Sequence, residues 1–244
     1  MHRFYADEQG IRDGLVCLPR EDALHATRVL RLGPGEVCQV FAQDQRYEAE
    51  ILTAQGEQVT LRILRELPST EAGLWVTLYQ GLPKAEKMEL IVQKAVELGA
   101  DAVVPVAMSR SVVKLDAKDG LRKQERWQKI AREASKQSGR CREMTVSAPI
   151  SWKQLLAELP HHELCLVPWE DTRTISLTSI HQQYPSVKEI ALVIGPEGGM
   201  SAEEVNTMQD LGCIPVTLGP RILRTETAGM AAMAALFCLY GDME

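Results

Sequence analysis

The 244-residue chain is 45% hydrophobic and 25% charged with a formal net charge of −6, a composition of soluble globular proteins that excludes a uniformly basic nucleic-acid binder and leaves room for one large or two modest domains. No apolar stretch reaches the roughly 18 residues of a membrane span, and the start, Met1-His-Arg-Phe-Tyr-Ala-Asp-Glu8, lacks the apolar core of a signal peptide. Cysteines 17, 38, 141, 165, 213 and 238 form no C-x-x-C pair and mostly lie in apolar runs, so reduced core thiols in a cytoplasmic protein are expected, and neither a disulfide framework nor a metal site is.

In chain order, residues 1 to about 68 read as a small β domain. Short alternating runs at 14–19, 36–42, 47–52 and 58–64 are separated by the turn residues of 33–35, 43–45 and 55–57, a spacing that suggests a compact barrel. A helix starting near Glu21 interrupts them, with Ala23, Leu24, Thr27 and Leu30 facing inward and His25, Arg28 and Arg31 nearer the surface. Pro68-Ser-Thr-Glu-Ala-Gly73 is the most linker-like stretch and divides a domain of residues 1–70 from one of 73–244.

Beyond it strands and helices alternate. A strand at 74–79 leads to a helix opened by Pro83 and Lys84 and ended by Gly99, with the apolar stripe Met88, Ile91, Val92, Ala95 and Leu98. The strand 102–107 carries Pro105, which predicts an edge or irregular position. Residues 121–138 form an amphipathic helix with Trp127, Ile130, Ala131 and Ala134 on one face and Arg122, Arg126, Lys129 and Lys136 opposite. Ser151-Trp-Lys-Gln154 and Ser201-Ala-Glu-Glu204 read as capping boxes, the first helix ending at Pro160 and the second at Gly212. Strands follow at 163–168, 190–194 and 214–218, and a last helix, rich in Ala and Met, runs from Thr227 to about Tyr240. The second domain is therefore α/β with mostly parallel strands.

The charge is unevenly distributed. From Arg110 to Arg142 there are 11 Lys/Arg against 4 Asp/Glu, a basic segment on an acidic body, which fits an oriented contact with a polyanion better than a basic average would. A solvated helix face is the alternative for the same residues. Generic motifs are absent: there is no Walker A sequence, no G-x-S-x-G, and Gly195-Pro-Glu-Gly-Gly199 is not G-x-G-x-x-G. His161 and His162 beside Pro160 read as a surface turn rather than a metal site.

Two strand ends stand out. Ala191-Leu-Val-Ile-Gly-Pro-Glu-Gly-Gly199 holds three glycines in five residues, which lets a ligand approach the backbone, whereas a plain turn needs one. Leu218-Gly-Pro-Arg-Ile-Leu-Arg-Thr-Glu-Thr-Ala228 places Arg221 and Arg224 around the apolar pair Ile222 and Leu223, fit either to pack a flat ring or to pair with Glu226 or Glu203. Loops of this kind side by side form the crevice at which open α/β sheets bind ligands.

The Val193–Gly199 and Leu218–Ala228 segments together resemble the SPOUT class of methyltransferases, and within it the ribosomal small-subunit methyltransferase E family, whose members methylate N3 of a uridine in 16S ribosomal RNA. His25-Ala-Thr-Arg-Val-Leu-Arg31, Lys84-Ala-Glu-Lys-Met88, Gln93–Gly99 and Gln137-Ser-Gly-Arg140 match as well, so the similarity covers nearly the whole chain in order. The resemblance implies a PUA-like RNA-binding β-barrel domain followed by a SPOUT trefoil-knotted parallel-sheet α/β domain, S-adenosylmethionine as donor, a homodimer, no metal, no membrane, and 16S rRNA or the small ribosomal subunit as partner in the cytoplasm. The donor would be cradled by Val167 and Pro168, by Ile194, Gly195, Pro196, Gly198 and Gly199, and by Leu218, Gly219, Ile222 and Leu223. Arg224 would stabilise the developing uridinate oxygens, and Glu197 or Glu226 would accept the N3 proton. Arg3, Arg28, Arg31, Arg122, Arg126, Lys129 and Arg140 would grip RNA phosphates. Methylation of another RNA position, such as a ribose 2′-hydroxyl, and a catalytically idle RNA-binding assembly factor are the alternatives.

Overall fold

The computed structural model describes residues 1–7, 9–113 and 115–243; Lys114, counted in the basic segment, lies outside the described residues. The chain divides into two compact units, residues 1–71 with 135–143 and residues 72–134 with 144–244.

The first unit is a six-stranded sheet of β1 (Arg3–Tyr5), β2 (Ile11–Arg12), β3 (Leu15–Cys17), β4 (Val37–Ala42), β5 (Gln45–Gln55) and β6 (Gln58–Leu67), ordered β1-β4-β5-β6-β3-β2. Gln43 and Asp44 both take positive φ, 53° and 59°, the pair that a two-residue type I′ hairpin demands between Ala42 and Gln45. The Asp7 N–H donates to the Cys17 carbonyl at 2.9 Å, so the chain leaving β1 reaches β3 and the sheet curls towards closure. Strands β1 and β2 are too short to show a period in the sequence. Helix α1 (Arg20–Leu24) runs into one wide π turn, His25–Val29. Ala23 and Ala26 are buried, while His25, Arg28 and Arg31 are exposed.

The inclusion of residues 135–143 has a physical cause. Arg140 donates to Glu71 Oε2 at 2.9 and 2.6 Å, the Cys141 and Arg142 N–H groups donate to Glu71 Oε1, and Lys136 pairs with Asp22 at 2.6 Å. Tyr5 donates its hydroxyl to the Arg140 carbonyl.

The second unit is a wholly parallel sheet with helices on both faces. Its strands are β7 (Trp75–Gly81), β8 (Ala102–Ala107), β9 (Thr145–Val146), β10 (Ile150–Ser151), β11 (Leu164–Pro168), β12 (Glu189–Ile194) and β13 (Ile214–Val216), ordered β10-β8-β7-β12-β11-β13 with β9 also on β8. Its helices are α2 (Lys87–Leu98), α3 (Ala117–Ser138), α4 (Trp152–Glu158), α5 (Leu177–Gln183), α6 (Ala202–Asp210) and α7 (Thr225–Leu239). Alternate residues of the longer strands feed two cores, as expected where both faces are covered. Ile190, Leu192 and Ile194 of β12 pack with residues of α2, α3, α5 and α7. Ala191 and Val193 pack with residues of α4 and α6.

Local chemistry sets the element ends. Both predicted capping boxes are formed, Ser151 with Gln154 and Ser201 with Glu204, and Gly99 closes α2 in the left-handed region at φ 108°. Helix α2 starts at Lys87 rather than Lys84 because Ala85 holds φ 54°, which interrupts the helical path. Helix α7 starts two residues earlier than expected, with Arg224 as its N-cap. Pro105 sits where β8 loses its outer neighbours: β9 pairs with 102–103 and β10 with 106–107. Among the described residues, no helix is long and apolar enough to cross a membrane.

Candidate functional site

The carboxyl ends of β11 and β12, with the segment following β13, border a cleft of about 440 Å3. Its wall includes Pro168, Glu170, the whole run Ile194–Met200, and Ile222, Leu223, Arg224, Thr225 and Ala228. A smaller recess shares Pro168, Glu170, Ile222, Leu223 and Ala228 and adds Trp169, Thr217, Leu218, Gly219 and Arg221.

Glycines shape the first loop for stated reasons. A Cβ at Gly195 would lie 3.0 Å from Met200 Cγ and 3.1 Å from the Gly199 carbonyl carbon, so only glycine lets the loop fold back on itself. Gly199 has φ 67°, donates its N–H to Pro196 O at 2.9 Å, and lies under the Glu170 carboxylate. Arg110 donates to the Gly198 carbonyl at 2.9 Å and braces the outer side of the loop.

The second loop is tied to the first through a buried hydrogen-bond chain. Thr225 donates its hydroxyl to the Gly195 carbonyl at 2.6 Å, and Gln80, fully buried on β7, donates Nε2 to Thr225 Oγ1 at 2.8 Å. In the next position along β7, Gly81 meets Pro196 so closely that a Cβ would lie 2.6 Å from the ring Cδ and from the backbone nitrogen.

A third loop, between β7 and α2, adds charge. Lys87 Nζ lies 3.1 Å from Glu197 Oε1 and 3.2 Å from Glu226 Oε2, and the Lys84 N–H donates to Glu197 Oε1 at 3.0 Å. Loss of water acts to raise the Glu197 carboxyl, but the backbone N–H bonds and the Lys87 ammonium outweigh it and hold the group below its usual range. The hydrogen bond to Glu197 raises Lys87 in turn. Both groups are therefore charged at neutral pH.

The cleft brings together Arg224, Glu197, Pro168, Ile194, Gly195, Pro196, Gly198, Gly199, Ile222 and Leu223, with Leu218 and Gly219 in the adjoining recess. Val167 is the exception among the expected donor contacts: it alternates to the buried face of β11 and packs against Val193 and Val205 in the core. Arg28, Arg31, Arg122, Arg126 and Lys129 are exposed, with Arg126 paired to Glu89 at 2.7 Å. Arg3 is exposed and donates to the carbonyls of Lys136 and Gln137 at the end of α3. Arg140 is 5% exposed and committed to Glu71, which removes it from the phosphate-gripping set. His162 bonds Tyr79 and Glu189 beneath the surface instead of lying in an open turn. Gln80, Lys87, Glu170 and Thr225 are cleft or supporting residues that the sequence reading passed over. The signal for Lys87 was Gly81-Leu-Pro-Lys84, a third strand end with the same glycine–proline grammar as the other two. Among the described residues no group of three His, Cys, Asp or Glu is placed to hold a metal ion.

Comparison with known proteins agrees along the chain. Residues 70–237 match the model of an RNA methyltransferase domain, and residues 18–64 that of an RNA methyltransferase PUA domain. The ribosomal RNA small subunit methyltransferase E of Bacillus subtilis is 36% identical, the match covering 88% of this chain and 87% of that protein, and that of Aquifex aeolicus is 30% identical over 97% and 99%. The crystal structure of a ribosomal RNA small subunit methyltransferase E from Neisseria gonorrhoeae, bound to S-adenosyl methionine, superposes with a TM-score of 0.86 at 33% identity, covering both chains in full. A putative methyltransferase from Legionella pneumophila, in complex with its cofactor SAM, gives 0.82 at 32% identity over 97% and 96%.

Proposed function

Since the chain belongs to the ribosomal RNA small subunit methyltransferase E family, we propose that it transfers a methyl group from S-adenosylmethionine to N3 of a uridine in 16S ribosomal RNA. The observation that carries the proposal is the cleft itself, which Arg224 and Glu197 line together with the glycine loop.

The cleft fits the donor. Pro168, Ile194, Pro196, Ile222, Leu223 and Ala228 offer apolar surface for an adenine ring, and Glu170 and Glu197 offer negative charge to a molecule that carries a sulfonium and an ammonium. When bound, S-adenosylmethionine supplies the methyl group: the carbon–sulfonium bond breaks as the carbon–N3 bond forms, and the electron pair stays on sulfur. The residues of the three loops would hold the donor against the base, and positioning would carry much of the rate. Uracil N3 must first lose its proton. Glu197, ionised and lining the cleft, takes it. Arg224, at the N-cap of α7 and exposed to the cleft, stabilises the uridinate oxygen that develops. Arg28, Arg31, Arg122, Arg126 and Lys129 supply phosphate contacts, which position RNA without reading its sequence; the uridine is presented unstacked. The same family resemblance brings a trefoil-knotted chain path, a homodimer and a cytoplasmic setting into the proposal.

The test is nucleoside mass spectrometry of small-subunit RNA from a strain lacking the gene, before and after treatment with the protein and S-adenosylmethionine. Restored N3-methyluridine is the expected outcome. A restored ribose methyl would move the reaction to a 2′-hydroxyl, and no new methyl group together with no calorimetric donor binding would leave an idle RNA-binding factor.

A further inference from the structure

We infer that Lys87 is a second substrate-facing cation, which donates to a uracil carbonyl oxygen and, with Glu197 and Arg224, reads the Watson–Crick edge of the target base. The inference rests on the uridine-N3 reading above and deepens it.

The Watson–Crick edge of uracil presents acceptor, donor, acceptor: O2, N3–H, O4. A site that selects it needs donor, acceptor, donor. Arg224, Glu197 and Lys87 all line the same cleft, and they supply two cations and one carboxylate. An ammonium has three N–H groups. Two carboxylates lie beside Lys87 Nζ, Glu197 Oε1 at 3.1 Å and Glu226 Oε2 at 3.2 Å, and the side chain is 32% exposed and lines the cleft, so the ammonium keeps N–H capacity for a ligand. Glu226 is absent from that wall and is 14% exposed, which makes it a counter-charge behind Lys87 rather than a group that meets the base.

Energetics give the cation work to do. A carboxylate held below its usual range is ionised but weakly basic, so proton removal from N3 is favourable only when the resulting uridinate is strongly stabilised. Charge in uridinate spreads onto both O2 and O4, and a single guanidinium at one carbonyl leaves the other unmet. Lys87 at the second carbonyl completes the stabilisation in a site where donors are fixed in advance. The same pattern rejects cytosine, which has no proton on N3 and carries an amino donor in place of O4, donor against donor.

Lys87→Gln tests this on small ribosomal subunits from the deletion strain. The amide is one atom shorter than lysine and uncharged, while the Lys84 N–H still bonds Glu197, so the loop keeps a partner. The expected result is a kcat lower by about 10²- to 10³-fold, the scale of losing one preorganised anion-stabilising donor, with calorimetric S-adenosylmethionine affinity close to wild type. The rate of the variant should also keep rising with pH where that of the wild-type protein is level, and Lys87→Arg should restore the level profile. A kcat near wild type for Lys87→Gln overturns the inference. So does a loss that is equal at every pH or is matched by lost donor affinity, since either would make Lys87 a support for the loop alone. A wild-type protein that binds donor but methylates no uridine overturns the parent reaction itself, a failure visible before any residue is changed.

Discussion

The Glu197 carboxylate shows how much one residue is asked to do: it anchors Lys84, pairs with Lys87 and faces the cleft. Its folded-state value lies below the ordinary carboxylate range, about 4.3 for glutamate, so its stabilising contribution is present in full above that range and is lost as pH falls through the depressed folded value. Methyl transfer should therefore keep its activity down to mildly acidic pH and fall only below the ordinary glutamate range. In Glu197→Gln the acid limb of kcat/KM should vanish along with most of the rate; a surviving acid limb would assign it to another group. The sequence made Arg224 and Glu197 legible because each stands inside a rigid glycine–proline context. It did not separate Glu197 from Glu226, since each is a single glutamate within a candidate ligand loop, and only the cleft lining, which includes Glu197 and not Glu226, shows which one faces the cleft.

Among elements, the contact between β7 and the glycine loop is the least tolerant. In Gly81→Ala the new methyl would lie 2.6 Å from Pro196, so either strand or loop must shift. A cost of about 1–3 kcal/mol is expected from thermal unfolding, the scale of overpacking a filled site, together with weaker calorimetric donor binding. Unchanged donor affinity would mean that the loop moves without altering the cleft. Helices with an S-x-x-Q or S-x-x-E start were legible from residue order alone. Helix α5 was not, because its capping box pairs Ser176 with Ser179 and lacks the acidic or amide partner that marks the motif. Strands β9 and β10 have two residues each, too few to show a period. The Gln80–Thr225–Gly195 chain was invisible for another reason: a buried polar side chain is satisfied by partners distant in sequence, and nothing local predicts them.

At the level of the molecule, burial separates the arginines that hold the protein together from the exposed ones that the proposed reaction assigns to RNA. The side chains of Arg140 and Glu71 are 6% and 7% exposed, so Arg140→Ala should destabilise the first unit by about 3–5 kcal/mol in denaturant unfolding by stranding a buried carboxylate. The exposed set should behave in the opposite way. Replacing Arg122, Arg126 and Lys129 by alanine should leave unfolding nearly unchanged and flatten the dependence of RNA affinity on salt by roughly 0.7 to 0.9 in logarithmic slope per lost phosphate contact. An unchanged slope would take α3 out of the RNA interface. The two-part organisation could be read from the change of hydrophobic period near residue 70, but not the membership of residues 135–143, because their assignment depends on Glu71 and Asp22 rather than on their own pattern. The prolines of the parallel sheet carry one more consequence. On one side Pro105 falls in the gap between two two-residue partners of β8; on the other, Pro215 occupies the middle of the three-residue strand β13. A strand without that N–H, at a border this short, offers a neighbouring chain almost no ladder to extend. The parallel sheet is thus poorly suited to edge-to-edge growth, and a molecule that docked beside it would find helices and loops to meet before strands.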